Sequence, residues 1–152
     1  MIRVAVLAGS KSDTPLIDDC CRMLSYFGLE PVVYTVSAHR QPDKLRRTIE
    51  KINRDESFKV IIAIAGLSAH LPGICASLTH LPVIGVPANA GPLNGFDALL
   101  SMVQMPKGVP VATVAIGASG AVNSALLAAR IIALFNDSVR SRLKDYISEL
   151  KG

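Results

Sequence analysis

Two rhythms alternate along the chain. Short unbroken apolar runs are separated by longer stretches in which apolar residues return every three or four positions. The first run, Ile2 to Ala8, has strand length and no polar alternation. That pattern predicts a strand covered on both faces, as in a parallel sheet. Further strands are predicted at Glu30 to Val36, Lys59 to Ala65, Pro82 to Val86 and Val111 to Ile116. After the first strand, Leu16, Cys20, Met23, Leu24 and Phe27 share one helical face. Asp13 or Thr14 is placed to cap that helix, Pro15 suits its first turn, and Gly28 stops it. Helices are also predicted from Pro42 to about Asn53, Leu71 to Leu78, Phe96 to Val103, Ala121 to about Asn136, and Ser138 to Leu150.

Strand and helix alternate five times, which predicts an α/β fold with helices on both faces of one sheet. The expected architecture is a flavodoxin-like three-layer αβα sandwich, a single domain over residues 1–152. Its five-stranded parallel sheet has order 2-1-3-4-5 and is followed by C-terminal helices. Right-handed crossovers then bring the turns after strands one, two and three to one sheet edge, where open α/β sheets bind ligands.

Charge is sparse and unevenly placed. Charged residues make up 18% of the chain, against about 25% in typical soluble domains, and hydrophobic residues make up 50%. No Lys, Arg, Asp or Glu occurs between Lys59 and Asp97, and the helix from Ala121 is apolar or small on nearly every side. Such a helix packs on the sheet with one face and on another subunit with the other, so a homo-oligomer is expected. No run reaches the roughly 20 apolar residues that span a bilayer. The immediate entry into a strand leaves no signal peptide in evidence. Cys20, Cys21 and Cys75 form no CxxC or metal-ligand pattern and read as reduced core thiols, so a cytoplasmic protein is expected. Net charge is +4, concentrated between Arg40 and Lys59. Acidic residues interrupt that segment, and no aromatic precedes Phe58. It reads as a solvated helix face, not a nucleic-acid surface.

Three turns carry the candidate chemistry. Gly9-Ser10-Lys11-Ser12-Asp13 offers hydroxyls and N–H groups suited to a phosphate, and a carboxylate suited to a ribose diol. Ser37-Ala38-His39-Arg40 sets an imidazole beside a guanidinium, a proton carrier beside an anion clamp. Gly66-Leu67-Ser68-Ala69-His70 brings a second imidazole, which could equally be a cap or a core-facing ring. Together they would satisfy a ribonucleotide-sized ligand. The first turn lacks the spaced glycines of a Walker A loop, and no GxGxxG occurs. A receiver domain would need acidic residues where Gly9-Ser10 and Ala65-Gly66 stand. A flavodoxin would need aromatics that these loops lack. No His, Cys and carboxylate set has metal-site spacing, so neither a metal nor another cofactor is expected. His80, before strand four, falls at the opposite sheet edge and is expected to be structural.

Taken in order, these turns resemble the phosphoribosylaminoimidazole carboxylase/mutase family (PurE family) of purine biosynthesis. The resemblance extends through Ala69-His70-Leu71-Pro72-Gly73, Gln104-Met105-Pro106 with Gly108 and Pro110, and Asn123 with Ala125-Leu126-Leu127-Ala128-Ala129. It implies that Ser10, Ser12 and Arg40 hold a phosphate and Asp13 a ribose. Ser37, Ala38, Gly66, Ser68, His70 and Leu71 line the pocket, and His39 carries the proton. It also implies a homo-octamer with a small ribonucleotide substrate, and no partner nucleic acid or membrane. Arg40 and His70-Leu71-Pro72-Gly73 match the mutase branch, which moves a carboxylate from an exocyclic nitrogen to ring C4. The alternatives are the branch that uses CO2 directly and a non-catalytic nucleotide-binding module. Gln41 and Leu67-Ser68 depart from the usual Thr and Gly-Ala, and the loop from Ala90 to Gly95 departs from the usual small-residue loop.

Overall fold

The computed structural model describes residues 1–152, the side chain of Lys11 excepted. Five strands are present: β1 (Arg3–Ala8), β2 (Glu30–Thr35), β3 (Phe58–Ala65), β4 (Val83–Pro87) and β5 (Ala112–Thr113). The helices are α1 (Thr14–Tyr26), α2 (Pro42–Arg54), α3 (Leu71–Leu78), α4 (Phe96–Val103), α5 (Ala118–Ile132) and α6 (Asp137–Leu150). A 3-10 turn, Lys11–Asp13, leads into α1. All strand pairings are parallel and the order is β2-β1-β3-β4-β5, as the alternation of elements predicts.

The unbroken apolar runs follow from burial on both sheet faces. On one face Val4, Val6, Ala8, Ile62 and Ile64 pack with α1, α5 and α6 through Cys20, Leu24, Ala125, Ala129 and Leu143. On the other, Ala5, Leu7, Ile61 and Ala63 pack with α2, α3 and α4 through Leu45, Ile49, Cys75 and Met102. Period-2 alternation divides the two sets, and both are apolar because neither face meets water. Arg3 bridges Glu30 and Asp55, each at 3.1 Å, at the N-terminal ends of β1, β2 and β3. These pairs are partly exposed, so each contributes no more than about 1 kcal/mol.

Two boundaries differ from the sequence expectation. The fifth strand is regular only over Ala112–Thr113, not Val111 to Ile116. It is an edge strand, and beyond Thr113 the Val114 N–H still donates to the Gly85 carbonyl, and the Gly117 N–H to that of Pro87. The bonds continue without regular pairing. Helix α5 also begins and ends earlier than Ala121 to Asn136. At its start, the first turn presses against the segment that follows β5: a Cβ on Gly120 would collide with the Ala115 carbonyl oxygen. At its end, Arg140 of α6 donates to the carbonyls of Ala133 and Leu134 at 2.8 and 3.2 Å. A cation taking the last free carbonyls terminates the helix there.

Candidate functional site

The sheet order gathers the C-terminal ends of β1, β2, β3 and β4 at one edge. A cleft of about 670 Å³ opens there, within the range of small-molecule sites. It is lined by Ser10, Ser12 and Asp13 from the first turn, and by Ser37, Ala38, His39 and Arg40 from the second. The third turn contributes Gly66, Ser68, His70 and Leu71. Every residue nominated from the sequence is therefore brought together in one place. A neighbouring lobe of about 590 Å³ is lined by Gly9, Ser10, Thr35, Ser37, Arg40 and Gln41. His80 is exposed and lies outside both.

The first turn is held by its own hydroxyls. Ser12 donates to Ser10 Oγ from its backbone N–H at 3.2 Å and from its hydroxyl at 3.0 Å. Asp13 occupies the N-cap position of α1, but its side chain makes no cap bond, contrary to one of the two expectations. Its carboxylate lies 3.5 Å from Ser12 Oγ, and the residue is only 7% exposed. Burial pushes the Asp13 carboxyl above the usual carboxylate range, against the opposing pull of hydrogen bonds from Ser10 and Ser12. A half-solvated hydroxyl cluster beside a buried carboxyl suits a phosphate at one end and a diol at the other.

The second turn is anchored by what flanks it. Ala38 is 8% exposed and pins the turn to the core, while His39 and Arg40 stay exposed on either flank of the cleft floor. Gln41 closes the turn in both directions. Its N–H donates to the Ser37 carbonyl at 2.9 Å, and its Oε1 accepts from the Ser37 N–H at 3.4 Å. The departure at this position thus supplies a hydrogen-bonding side chain. Pro42 then starts α2. Arg40 donates to Ser37 Oγ from its backbone N–H at 3.3 Å and from Nε at 3.4 Å. Among the described residues no carboxylate lies within ion-pair distance of Arg40. Its guanidinium is tethered but not neutralised, which leaves it available to an external anion.

The third turn settles the position of His70. It stands at the N-cap of α3, but its side chain makes no cap bond and the residue is exposed, so it is neither a cap nor a core ring. Its Nδ1 lies 2.7 Å from His39 Nε2, with ring centroids 4.8 Å apart and planes at 75°. A hydrogen bond between two ring nitrogens needs one nitrogen that bears hydrogen and one that is bare, so the tautomers of the two rings are linked. Leu71, 2% exposed, fixes the start of α3 beneath them.

Five lining residues were not nominated from the sequence: Gly9, Leu67 and Ala69 within the candidate turns, and Ala65 and Ala90 outside them. Ala90 comes from the loop after β4, which had no assigned role. Its length and its Gly, Pro and Asn content were a usable signal, because long unstructured loops in small folds are often functional. The loop is tied in by the Ala88 N–H, which donates to the Ala65 carbonyl at 2.9 Å.

The AIR carboxylase family profile matches residues 3–152. The N5-carboxyaminoimidazole ribonucleotide mutase of Pseudomonas aeruginosa is 50% identical over 143 residues, 94% of this chain and 87% of its own. The protein of the same name from Brucella melitensis is 48% identical over 145 residues, 95% of this chain and 89% of its own. The crystal structure of Treponema denticola PurE superposes with a TM-score of 0.91 at 28% identity, covering 99% of this chain and 92% of that one.

Proposed function

This chain belongs to the AIR carboxylase family, and we propose on that premise that it is an N5-carboxyaminoimidazole ribonucleotide mutase of purine biosynthesis. It is an isomerase that moves the carboxylate from the exocyclic nitrogen to ring C4. The observation that carries this reading is that His39, next to His70, lines one cleft together with the tethered Arg40 and the Ser10-Ser12-Asp13 turn. In this assignment Arg40, Ser10 and Ser12 bind the phosphate, and Asp13 receives the ribose hydroxyls. Ser37 orients Arg40. Ala38, Gly66, Ser68, His70 and Leu71 shape the space for the imidazole ring.

The chemistry balances within one substrate. The N–C bond breaks, the exocyclic nitrogen takes a proton, and CO2 is released into the cleft. C4 then attacks CO2, and the C4 proton leaves. His39 serves both transfers: its imidazolium protonates the nitrogen, and its neutral form removes the C4 proton. General acid–base help of this kind is worth about 10²–10⁴-fold. Holding CO2 beside C4 adds the larger advantage of proximity, provided the site excludes water.

The assay is conversion of the N-carboxylated ribonucleotide by purified protein without ATP or bicarbonate. Product formation is expected. Activity only on the decarboxylated nucleotide with added CO2 would establish the direct carboxylase instead. Turnover of neither substrate would leave a nucleotide-binding module.

The assembly we propose is a homo-octamer in the cytoplasm. Phe96, Leu100 and Val103, one face of α4, are 58%, 45% and 54% exposed, with Leu93 alongside at 59%. An apolar stripe on a segment nearly free of charge is a surface that supports contact with another copy. No helix among the described residues is long and apolar enough to cross a membrane.

A further inference from the structure

Leu67 lines the cleft in a conformation that the core does not reward. Its φ is 55°, in the left-handed region that disfavours side-chain-bearing residues. Its side chain is 53% exposed, so burial offsets little of that strain. Backbone strain of this kind clusters at active sites and ligand clamps, where the surrounding structure holds it. The aim of the Leu67 side chain is visible across the cleft wall. Leu67 Cδ2 fills the space that a Cβ on Gly91 would occupy. Gly91 has φ +72°, so glycine there supplies both the turn and the notch.

The two loops are seated on one another beside this contact. A Cβ on Gly66 would lie 3.1 Å from Ala90 Cβ and 3.5 Å from Ala88 Cβ. Beyond Ala90 the loop bonds within itself, as where the Asn94 N–H donates to the Gly91 carbonyl at 3.2 Å. Leu67, Ala69 and Ala90 thus add an apolar part to a cleft that Ser10, Ser37 and Arg40 also line.

Resting on the function proposed above, we infer that Leu67 is a positioning residue for carboxylate transfer. It latches the loop over residues 88–95 against the cleft and provides the wall that retains CO2. Carbon dioxide carries no net charge and donates no hydrogen bond, so an apolar wall that excludes water holds it better than the hydroxyl-lined part. If CO2 escapes after the N–C bond breaks, the protonated nitrogen remains as the amine of a decarboxylated nucleotide, and the turnover is lost.

The test measures the ratio of decarboxylated nucleotide to C4-carboxylated product in the full-length enzyme. It is repeated with isotopically labelled bicarbonate in the medium. The variants are Leu67→Ala, Leu67→Gly and Gly91→Ala, the last placing a methyl group in the notch. In each the ratio should rise several-fold and label from solution should enter the product, while KM stays within about twofold because the phosphate and ribose contacts are untouched. The double variant Leu67→Ala with Gly91→Ala should leak no more than the worse single one, because both break the same contact. A wild-type enzyme that turns over, with variants that keep its ratio and label exclusion, would overturn the latch alone. A wild-type enzyme without turnover would overturn the function and the latch with it.

Discussion

Replacing Arg40 by Ala isolates the phosphate end of the site. Its guanidinium is exposed, has no carboxylate partner among the described residues, and is tethered by its Nε donating to Ser37 Oγ at 3.4 Å, with the Arg40 backbone N–H donating to the same oxygen at 3.3 Å. Hydrogen bonds to a charged group contribute about 1.5–3 kcal/mol. Exposure places Arg40 in the lower part of that range, about 1.5–2 kcal/mol, or roughly 10–30-fold in affinity. The Ser37→Ala change leaves the charge but frees the side chain. Immobilising one such side chain costs about 0.5–1.5 kcal/mol, so a loss of roughly 2–10-fold is expected. Calorimetric titration with aminoimidazole ribonucleotide and with the matching riboside that lacks the phosphate gives the comparison. Arg40→Ala should weaken the nucleotide by the stated factor and leave the riboside unchanged. An equal loss for both ligands would show that Arg40 acts through the shape of the turn, and the phosphate assignment would fall.

Two further outcomes follow from the same coordinates. The Asp13 carboxyl is pushed up by burial, so the native state binds its proton more tightly than the unfolded chain does. Stability contributed by this group therefore falls as pH rises from the unfolded value, about 3.9, through the raised native value. Asp13→Asn should stabilise the ligand-free protein at neutral pH, with the gain shrinking as the pH approaches 4 in urea titrations; a gain that grows toward acid would reverse the assigned cause. On α4, replacing Phe96 and Leu100 by Ser should shift the assembly toward smaller species in light scattering while each subunit keeps its far-ultraviolet dichroism; an unchanged mass would remove this face from the interface.

Much of the fold is legible locally because its causes are local. The buried strands β1 and β3 show as unbroken apolar runs, since a parallel sheet covered on both faces admits no polar alternation. Helix α2 shows as a periodic stripe of Leu45, Ile49 and Ile52 opened by Pro42. The site was legible for a different reason. Ser10, Asp13, His39, Arg40 and His70 all sit in turns directly after strands, and the strand order alone carries those turns to one edge. The resemblance supplied their roles; the chain topology supplied their meeting place.

Other features are set by contacts between distant segments, which no local pattern encodes. Beyond β5, Val114 bonds to Gly85, far from it in sequence, and the end of α5 is taken by Arg140 from the next helix. Asp13 had the sequence of a cap but became a buried carboxyl, because neighbouring hydroxyls and the closing cleft claimed it. The 2.7 Å pairing of His39 with His70 joins turns 31 residues apart. Leu67, a departure from the family's usual glycine, meets Gly91 from a separate loop. The sequence by itself determined which chemical groups end each strand, because hydrophobic periodicity and turn residues are written residue by residue. Only the tertiary structure decided which of those groups touch, because distances between turns depend on how the sheet and its covering helices pack.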